Sequence, residues 1–288
     1  MKLVSLIKIC RPQQWYKNLI IFIPIIFAQQ FFNTTLLQRT ILGFLSLILM
    51  SSVNYIINDV IDIKKDKLHP EKKDRPLASG QISKKQALFL GGFLYIALIV
   101  LASFLSFYFL LITLFIFVLT FLYSLFLKNE LFIDILTLAI NFVLRTVSGA
   151  FVATAGNKPI VWISPWLILC PFFLSLFLSI GKRESELILL GENAKDHKTV
   201  LGQYTTKLTG SLMTITTTLL IMSYSLYSFL SRSPLLWTLP IALYIIFRYL
   251  QLVYSGSKIS RCPEQTYKDI KLCLAVLLLV LIILFILY

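Results

Sequence analysis

The chain has 288 residues, of which 58% are hydrophobic and only 14% charged, with 27 Lys and Arg against 13 Asp and Glu for a net charge of +14. Soluble domains average about 45–50% apolar and about 25% charged residues, so an ordinary water-soluble globule and a disordered chain are both excluded. The basic excess does not indicate nucleic acid, because the cations fall between long apolar runs and the surface they suit is a lipid bilayer.

Nine apolar runs follow one another, at roughly 18–32, 41–57, 87–107, 110–127, 131–153, 166–181, 212–230, 235–254 and 270–288. They are continuous, without the period of two that marks membrane strands, and most approach the 20 residues a helix needs to cross a bilayer. The spacing predicts an all-α integral membrane protein, a bundle of about nine transmembrane helices in one polytopic domain over 1–288. The third and fourth runs leave almost no gap and predict a tight helical hairpin. A basic start before the first run resembles a signal peptide, but Pro24 interrupts that run and no small-residue cleavage site follows. An uncleaved first helix is therefore expected.

The charges orient the bundle. The N-terminal segment, the loops 64–86, 128–130, 182–211 and 255–269, and Lys271 just beyond them carry 22 of the 27 Lys and Arg; the opposite side has Arg39, Lys158 and Arg232, and Arg145 and Arg248 lie within runs. Positive charge stays inside, which predicts a cytoplasmic N-terminus and cytoplasmic faces for those loops. All 13 acids lie on or just within the same side, either as solubilising loop residues or as the lining of a polar chamber open to the cytoplasm. Cys10, Cys170, Cys262 and Cys273 form no CxxC pair and read as free thiols.

The second run ends in Asn58-Asp59-Val60-Ile61-Asp62-Ile63-Lys64-Lys65-Asp66. At about 100° per residue, Asp59, Asp62 and Asp66 fall within an arc of about 60°, widened to about 100° by Asn58. Three carboxylates on one face repel unless a cation sits between them, and hard oxygen ligands of this kind suit Mg²⁺ bridging substrate phosphates. The plainer alternative is a solvated helix end paired with Lys64, Lys65 and Lys67. The Pro- and Gly-containing loop that follows carries Lys72, Lys73 and Arg75, placed to hold phosphate oxygens or simply to keep the loop inside.

Further polar stripes recur. Asp134, Asn141 and Arg145 share about 40° of the fifth run, and an arginine that deep serves to bind an anion or to pair with a neighbouring helix. Ser175, Ser179, Lys182 and Glu186 make a stripe on the sixth run, and Tyr244, Arg248 and Gln251 one on the eighth. The segment from Arg11 to Asn18 sets two cations and two aromatics before the first span, the composition of an interfacial anchor; Trp162, Trp166 and Trp237 read as an aromatic belt at the other face. There is no Walker, HExxH, GxSxG or Gly-rich dinucleotide motif. His69 and His197 are isolated on loops and are not expected to be catalytic bases.

The motif Asn58-Asp59-x-x-Asp62-x-x-x-Asp66 resembles the first aspartate-rich motif of the UbiA superfamily of intramembrane prenyltransferases. Within it, the stretches Arg11 to Asn18, His69 to Gly80, Tyr123 to Lys128 with Asp134, Ser164 to Trp166, Lys182 to Glu186 and Arg248-Tyr249 are similar to the branch of decaprenyl-phosphate-type phosphoribosyltransferases. The resemblance spans the first to the eighth helix. One departure stands out: where prenyltransferases of the superfamily carry a second aspartate motif, commonly DxxxD, this chain has Lys182-Arg183-Glu184-Ser185-Glu186, a cationic patch better suited to a second phosphate-bearing substrate than to a neutral aromatic acceptor.

The resemblance implies Mg²⁺-dependent transfer of 5-phosphoribose from phosphoribosyl diphosphate to a polyprenyl phosphate, such as decaprenyl phosphate, with release of diphosphate. It implies catalytic and metal-binding roles for Asp59, Asp62 and Asp66, and substrate-binding roles for Lys17, Asn58, Lys73, Arg75, Tyr123, Lys128, Asp134, Arg145, Lys182, Arg183 and Glu186. It also implies a multi-pass protein of the bacterial cytoplasmic membrane with its site facing the cytoplasm, and is consistent with a homo-oligomer. The alternatives are a conventional transferase moving a prenyl group from its diphosphate to a small acceptor, and a lipid or ion transporter in which the acidic stripe is an ion path.

Overall fold

The computed structural model describes residues 2–68, 73–155, 158–159, 161–191, 200–231 and 233–288. His69, Lys72, His197 and Arg232 lie outside the described residues, as do parts of the expected loops 64–86 and 182–211. Among the described residues the chain is helical, apart from a two-residue antiparallel ladder of β1 (Thr154–Ala155) and β2 (Lys158–Pro159).

Eight helices are long and apolar enough to cross a membrane. They are α3 (Thr34–Ile61), α5 (Lys84–Ser103), α6 (Phe107–Leu125), α7 (Ile133–Ala150), α8 (Trp166–Leu190), α9 (Thr206–Ser231), α10 (Leu239–Tyr254) and α12 (Ile270–Leu287). Shorter helices are α1 (Lys2–Ile9), α2 (Ile23–Phe27), α4 (Ile63–Leu68) and α11 (Lys258–Arg261). The protein is a multi-pass integral membrane protein.

The first expected span is built differently from the others. Residues Pro12–Phe22 form a 3₁₀ helix that passes into α2, with Pro24 in its first turn. A 3₁₀ helix rises about 2.0 Å per residue against 1.5 Å for an α-helix. Together the two pieces extend about 30 Å, the thickness of a hydrocarbon core, in fewer residues than an α-helical span needs. The eighth-to-ninth difference between expectation and structure is this stretched segment.

Two further boundaries differ from expectation. The sixth run is expected to end at 181, but α8 continues to Leu190, so Lys182 to Glu186 stand on helical turns rather than in a loop. The second run starts seven residues earlier than expected, where Asn33 caps α3 by accepting the Leu36 N–H at 3.2 Å. The tight hairpin between the third and fourth runs is present, as only residues 104–106 separate α5 from α6.

The helices gather into two compact units, residues 1–125 with 144–163 and residues 126–143 with 164–288. In the first, Ile21, Leu47, Met50, Leu98, Phe109, Ile116 and Val152 form a buried core. Gly149 lies so close to the 3₁₀ segment that a Cβ there would collide with the Ile21 carbonyl oxygen. A second cluster, of Ile9, Ile56, Leu77, Ile82 and Ala87, ties α1 and the turn after α4 to the C-terminal end of α3. In the second unit the core comprises Ala139, Phe177, Ile180, Met213, Leu220, Tyr249 and Val253 among others.

Candidate active site

In the first unit, Asp59 occupies the last turn of α3, Asp62 the break between α3 and α4, and Asp66 a position on α4. The break is slight: the Asp62 N–H still donates to the Asn58 carbonyl at 2.9 Å and the Asp66 N–H to the Asp62 carbonyl at 2.8 Å. The near-helical path therefore brings Asp59 and Asp66 together, as the spacing predicts. Both are buried, while Asp62 and Asn58 are half-buried.

Arg75 joins the two buried carboxylates. A single guanidinium nitrogen, Nη1, donates to Asp59 Oδ1 at 3.2 Å and to Asp66 Oδ2 at 2.7 Å. The turn that carries it is anchored by the burial of Leu77 and Ile82 and closes through the Ile82 N–H on the Pro76 carbonyl at 3.1 Å. Gly80, at φ 77°, supplies the left-handed conformation the turn requires. Lys73, two residues earlier, is exposed.

Arg11 approaches from the other side. It pairs with Asp59 Oδ1, and its guanidinium carbon lies 4.9 Å from the centroid of the Tyr55 ring, within cation–π range. Its backbone is left-handed, with φ 51° and ψ 63°, a conformation that costs a non-glycine residue free energy. The flanking Cys10 carbonyl holds this bend by accepting Trp15 Nε1 at 3.1 Å and Ser52 Oγ at 3.4 Å. Burial raises the pKa of the Cys10 thiol, opposed by its hydrogen bond with Ser52. Sequence reasoning places Arg11 in an interfacial anchor and misses it as a partner of Asp59; the Arg-Pro step keeps residue 11 out of the right-handed helical region, but nothing local points to Asp59.

Deeper in the same unit, Arg145 Nη1 donates to Asn18 Oδ1 and, at 3.0 Å, to Ser51 Oγ. The pairing alternative for this arginine is thus present, with partners on the 3₁₀ segment and on α3 that the sequence stripe does not reveal. Lys17 is half-buried beside buried Asn18, and Tyr123 is half-buried on α6.

In the second unit, Asp134 is buried in the first turn of α7. Arg183 grips its Oδ2 through Nε at 3.1 Å and Nη2 at 3.0 Å, and reaches Glu186 Oε2 at 3.4 Å through Nη1. Tyr204 donates its hydroxyl to Asp134 Oδ1 at 2.7 Å and accepts the Phe132 N–H at 3.3 Å. Burial, and then the hydrogen bond to Asp134, push the Tyr204 phenol well above its ordinary pKa, so it remains a donor throughout the physiological range. One turn along, Thr209 donates to buried Glu184 Oε2.

The face buried at the end of α8 therefore differs from the expected stripe. Arg183, Glu184 and Ser185 are buried, while Lys182 and Glu186 are half-buried. The partners Asp134 and Thr209 draw the first two inward. Lys128 is half-buried on a short 3₁₀ turn, Leu127–Asn129. On the eighth-run stripe, Arg248 donates to Gln251 Oε1 at 2.6 Å and to Asp269 Oδ2 at 2.8 and 3.1 Å.

The donor set of the first unit can be tested against a metal. Among the described residues no three His, Cys, Asp or Glu side chains converge as a complete cage. Yet the position of Arg75 Nη1 touches an oxygen of both Asp59 and Asp66, so a cation there has two hard oxygen ligands. Mg²⁺ is commonly held by one or two carboxylates, with phosphate and water oxygens completing its shell. The pair fits that mode and not an all-protein cage. The four cysteines are free.

Comparison with known proteins agrees with the fold. A UbiA homologue from Archaeoglobus fulgidus bound to GPP and Mg²⁺ superposes with a TM-score of 0.73 at 17% identity, covering 97% of this chain and 99% of that one. An apo UbiA homologue from Aeropyrum pernix gives 0.67 at 13% identity, covering 93% and 96%. Among curated sequences, a decaprenyl-phosphate phosphoribosyltransferase of Mycolicibacterium smegmatis is 28% identical over 229 residues, 78% of this chain and 70% of that protein. Another, from Corynebacterium glutamicum, is 30% identical over 233 residues, 78% and 67%. The family model for UbiA prenyltransferases matches residues 19–262, which takes in both aspartates bridged by Arg75, and the chain belongs to the UbiA prenyltransferase family.

Proposed function

We propose that this UbiA-family transferase moves 5-phosphoribose from phosphoribosyl diphosphate to a polyprenyl phosphate. The observation that supports it most is the convergence of Asp59 and Asp66 on one point, taken by Arg75 Nη1, where a metal carrying a diphosphate would find two carboxylate oxygens. Support for a phosphoribosyl rather than a prenyl donor comes from the two phosphoribosyltransferase relatives and from half-buried Lys182, a cation where a second aspartate motif is commonly found.

In this reading the C1–O bond to the diphosphate breaks, the electron pair leaves with the diphosphate, and an oxygen of the lipid phosphate forms the new bond at C1. Bound Mg²⁺ supplies neutralisation of the leaving group's charge. Asp59 and Asp66 would hold the metal, with Asp62 adjacent to them. Arg11 and Arg75 would turn from the carboxylates toward phosphate oxygens once the diphosphate is present. The acceptor phosphate is already anionic, so no strong general base is called for. Lys17, Lys73, Lys128, Arg145 and Lys182 would divide between the donor 5-phosphate, the diphosphate and the lipid phosphate, while Arg183, held by Asp134, would position the end of its helix rather than bind phosphate. Asn58, Tyr123, Asp134 and Glu186 would position these cations or the ribose hydroxyls. The charge asymmetry supports a cytoplasmic N-terminus and site.

The test is direct. Purified protein incubated with labelled phosphoribosyl diphosphate, Mg²⁺ and decaprenyl phosphate is expected to yield a labelled lipid. Folded protein that gives none, but does transfer the prenyl group of a prenyl diphosphate, would overturn the assignment in favour of the conventional reaction.

A further inference from the structure

A cavity in the first unit lies far from the aspartates. It has a volume of about 950 Å³ and is lined by Gln30, Asn33, Arg39, Phe107, Thr154 and Trp162 among others. Arg39 and Asp59 stand on the same helix, twenty residues apart, which separates them by about 30 Å along its axis. That is the thickness of a bilayer's hydrocarbon core, so the cavity opens at the membrane face opposite the acid pair. Its walls are the ends of membrane spans: the first turns of α3, the α5–α6 turn and the β1 region.

The charge in this cavity is unbalanced. Among the described residues no Asp or Glu lines it, and the Arg39 guanidinium makes no ion pair or hydrogen bond with them. Every other arginine described in the two clusters above is tied to a carboxylate or an amide. An arginine near the end of a membrane span lies at headgroup level, where lipid phosphates are the counter-charges at hand, and the neutral polar groups lining the same cavity, Gln30, Asn33 and Thr154, add hydrogen bonds but no charge. At the rim, Phe107 and Trp162 are exposed, as aromatic side chains are at the level of lipid headgroups.

We infer that this cavity binds the phosphate headgroup of an anionic phospholipid in the leaflet opposite the acid pair, with Arg39 as the counter-ion and Phe107 and Trp162 against the upper acyl chains. The volume lies within the range of small-molecule sites, and charge, position and rim all suit one ligand. The site is separate from the transfer reaction and does not depend on which donor that reaction uses.

The full-length protein is reconstituted in bilayers of phosphatidylcholine with or without brominated phosphatidylglycerol. The readout is the quenching due to Trp162, taken as the difference between the wild type and Trp162→Phe. Quenching is expected at low mole fractions of brominated phosphatidylglycerol but not of brominated phosphatidylcholine. Arg39→Gln is expected to weaken that preference about tenfold, the ratio that corresponds to 1.4 kcal/mol. Asn33→Asp keeps a good helix cap and sets a carboxylate at the cavity, so it tests the site even if Arg39→Gln does not fold; it is expected to weaken the preference several-fold. Equal quenching by both lipids, or a preference that survives both variants, would overturn the proposal. An Arg39-dependent rise in melting temperature produced by inorganic phosphate in pure phosphatidylcholine would assign the cavity to a free anion and overturn the lipid.

Discussion

The two charged clusters use the same residue types in opposite ways. In the first unit Asp59 and Asp66 are buried, but the arginines that touch them keep solvent contact, with side chains 20% exposed for Arg11 and 26% for Arg75. One nitrogen of Arg75 is shared between two carboxylates, and Arg11 comes to Asp59 from a strained left-handed backbone. In the second unit Asp134 is wholly buried and its partner Arg183 is 7% exposed. There the carboxylate is satisfied on both oxygens, by a two-nitrogen grip and by the Tyr204 hydroxyl. A buried ion pair with saturated geometry holds helices in place and is destructive to break. Carboxylates bridged by half-open cations can exchange those cations for a metal and its phosphate. Under the proposed function the first cluster reacts and the second braces.

The strongest way to break this comparison is to remove one member of the brace. Arg183→Leu leaves Asp134 as an unpaired buried charge, a loss expected to cost about 3–5 kcal/mol. It should appear as a large drop in melting temperature in detergent and in folded yield. A variant that melts like the wild type would show that the second cluster is not structural.

The converse holds for Asp59→Asn. It is expected to lower Mg²⁺-dependent turnover about a hundredfold or more, the scale of losing a group that stabilises charge in the transition state. The bundle should still fold, since asparagine remains a hydrogen-bond acceptor for Arg11 and Arg75. Wild-type turnover in this variant would refute the reading of the first cluster as the reacting site.

Tyr204→Phe sharpens the contrast at smaller scale. It deletes one hydrogen bond to an ionised carboxylate, worth about 1.5–3 kcal/mol. Stability should fall while the Mg²⁺ dependence of turnover stays where it was; a shifted Mg²⁺ requirement would place the phenol in the reaction.

The smallest effect concerns acid stability. Burial works to raise the pKa of Asp269, but the Leu272 N–H and the Arg248 guanidinium outweigh it and hold the carboxyl below its ordinary value. A depressed carboxylate stabilises the fold fully above its unfolded pKa of about 3.9. That contribution is lost as pH falls through the lower folded value. Asp269→Asn should therefore flatten the acid limb of a stability-against-pH curve and leave stability above pH 5 little dependent on pH. An unchanged acid limb would show that Arg248 contributes no pH-dependent stability there.

Much of the first cluster was legible in the sequence because it is local. Asp59 and Asp66 are seven residues apart, and near-helical backbone brings that spacing onto one face whatever surrounds it. Arg75 was legible as a cation close in sequence but not as a bridge, since the turn that aims it depends on Leu77 and Ile82 finding apolar partners on α1 and α3. Arg11 was not legible, because its contact spans 48 residues. The end of α8 was misjudged for a related reason. The stripe through Lys182 and Glu186 has the right helical period, yet Arg183 and Glu184 are the side chains turned inward, and their partners lie 49 and 25 residues away.

By itself the amino-acid sequence determined that this chain lives in a membrane, how many apolar segments it has and where its carboxylates collect, because hydropathy and helical period act over a few turns and need no partner. Only the tertiary structure decided that the first segment stretches as a 3₁₀ helix, which arginine bridges Asp59 and Asp66, and which charges at the end of α8 are locked away. The physical reason is that an ionised group in a membrane protein settles wherever a counter-charge or hydrogen-bond partner spares it the cost of desolvation, and that partner is chosen by packing between distant helices.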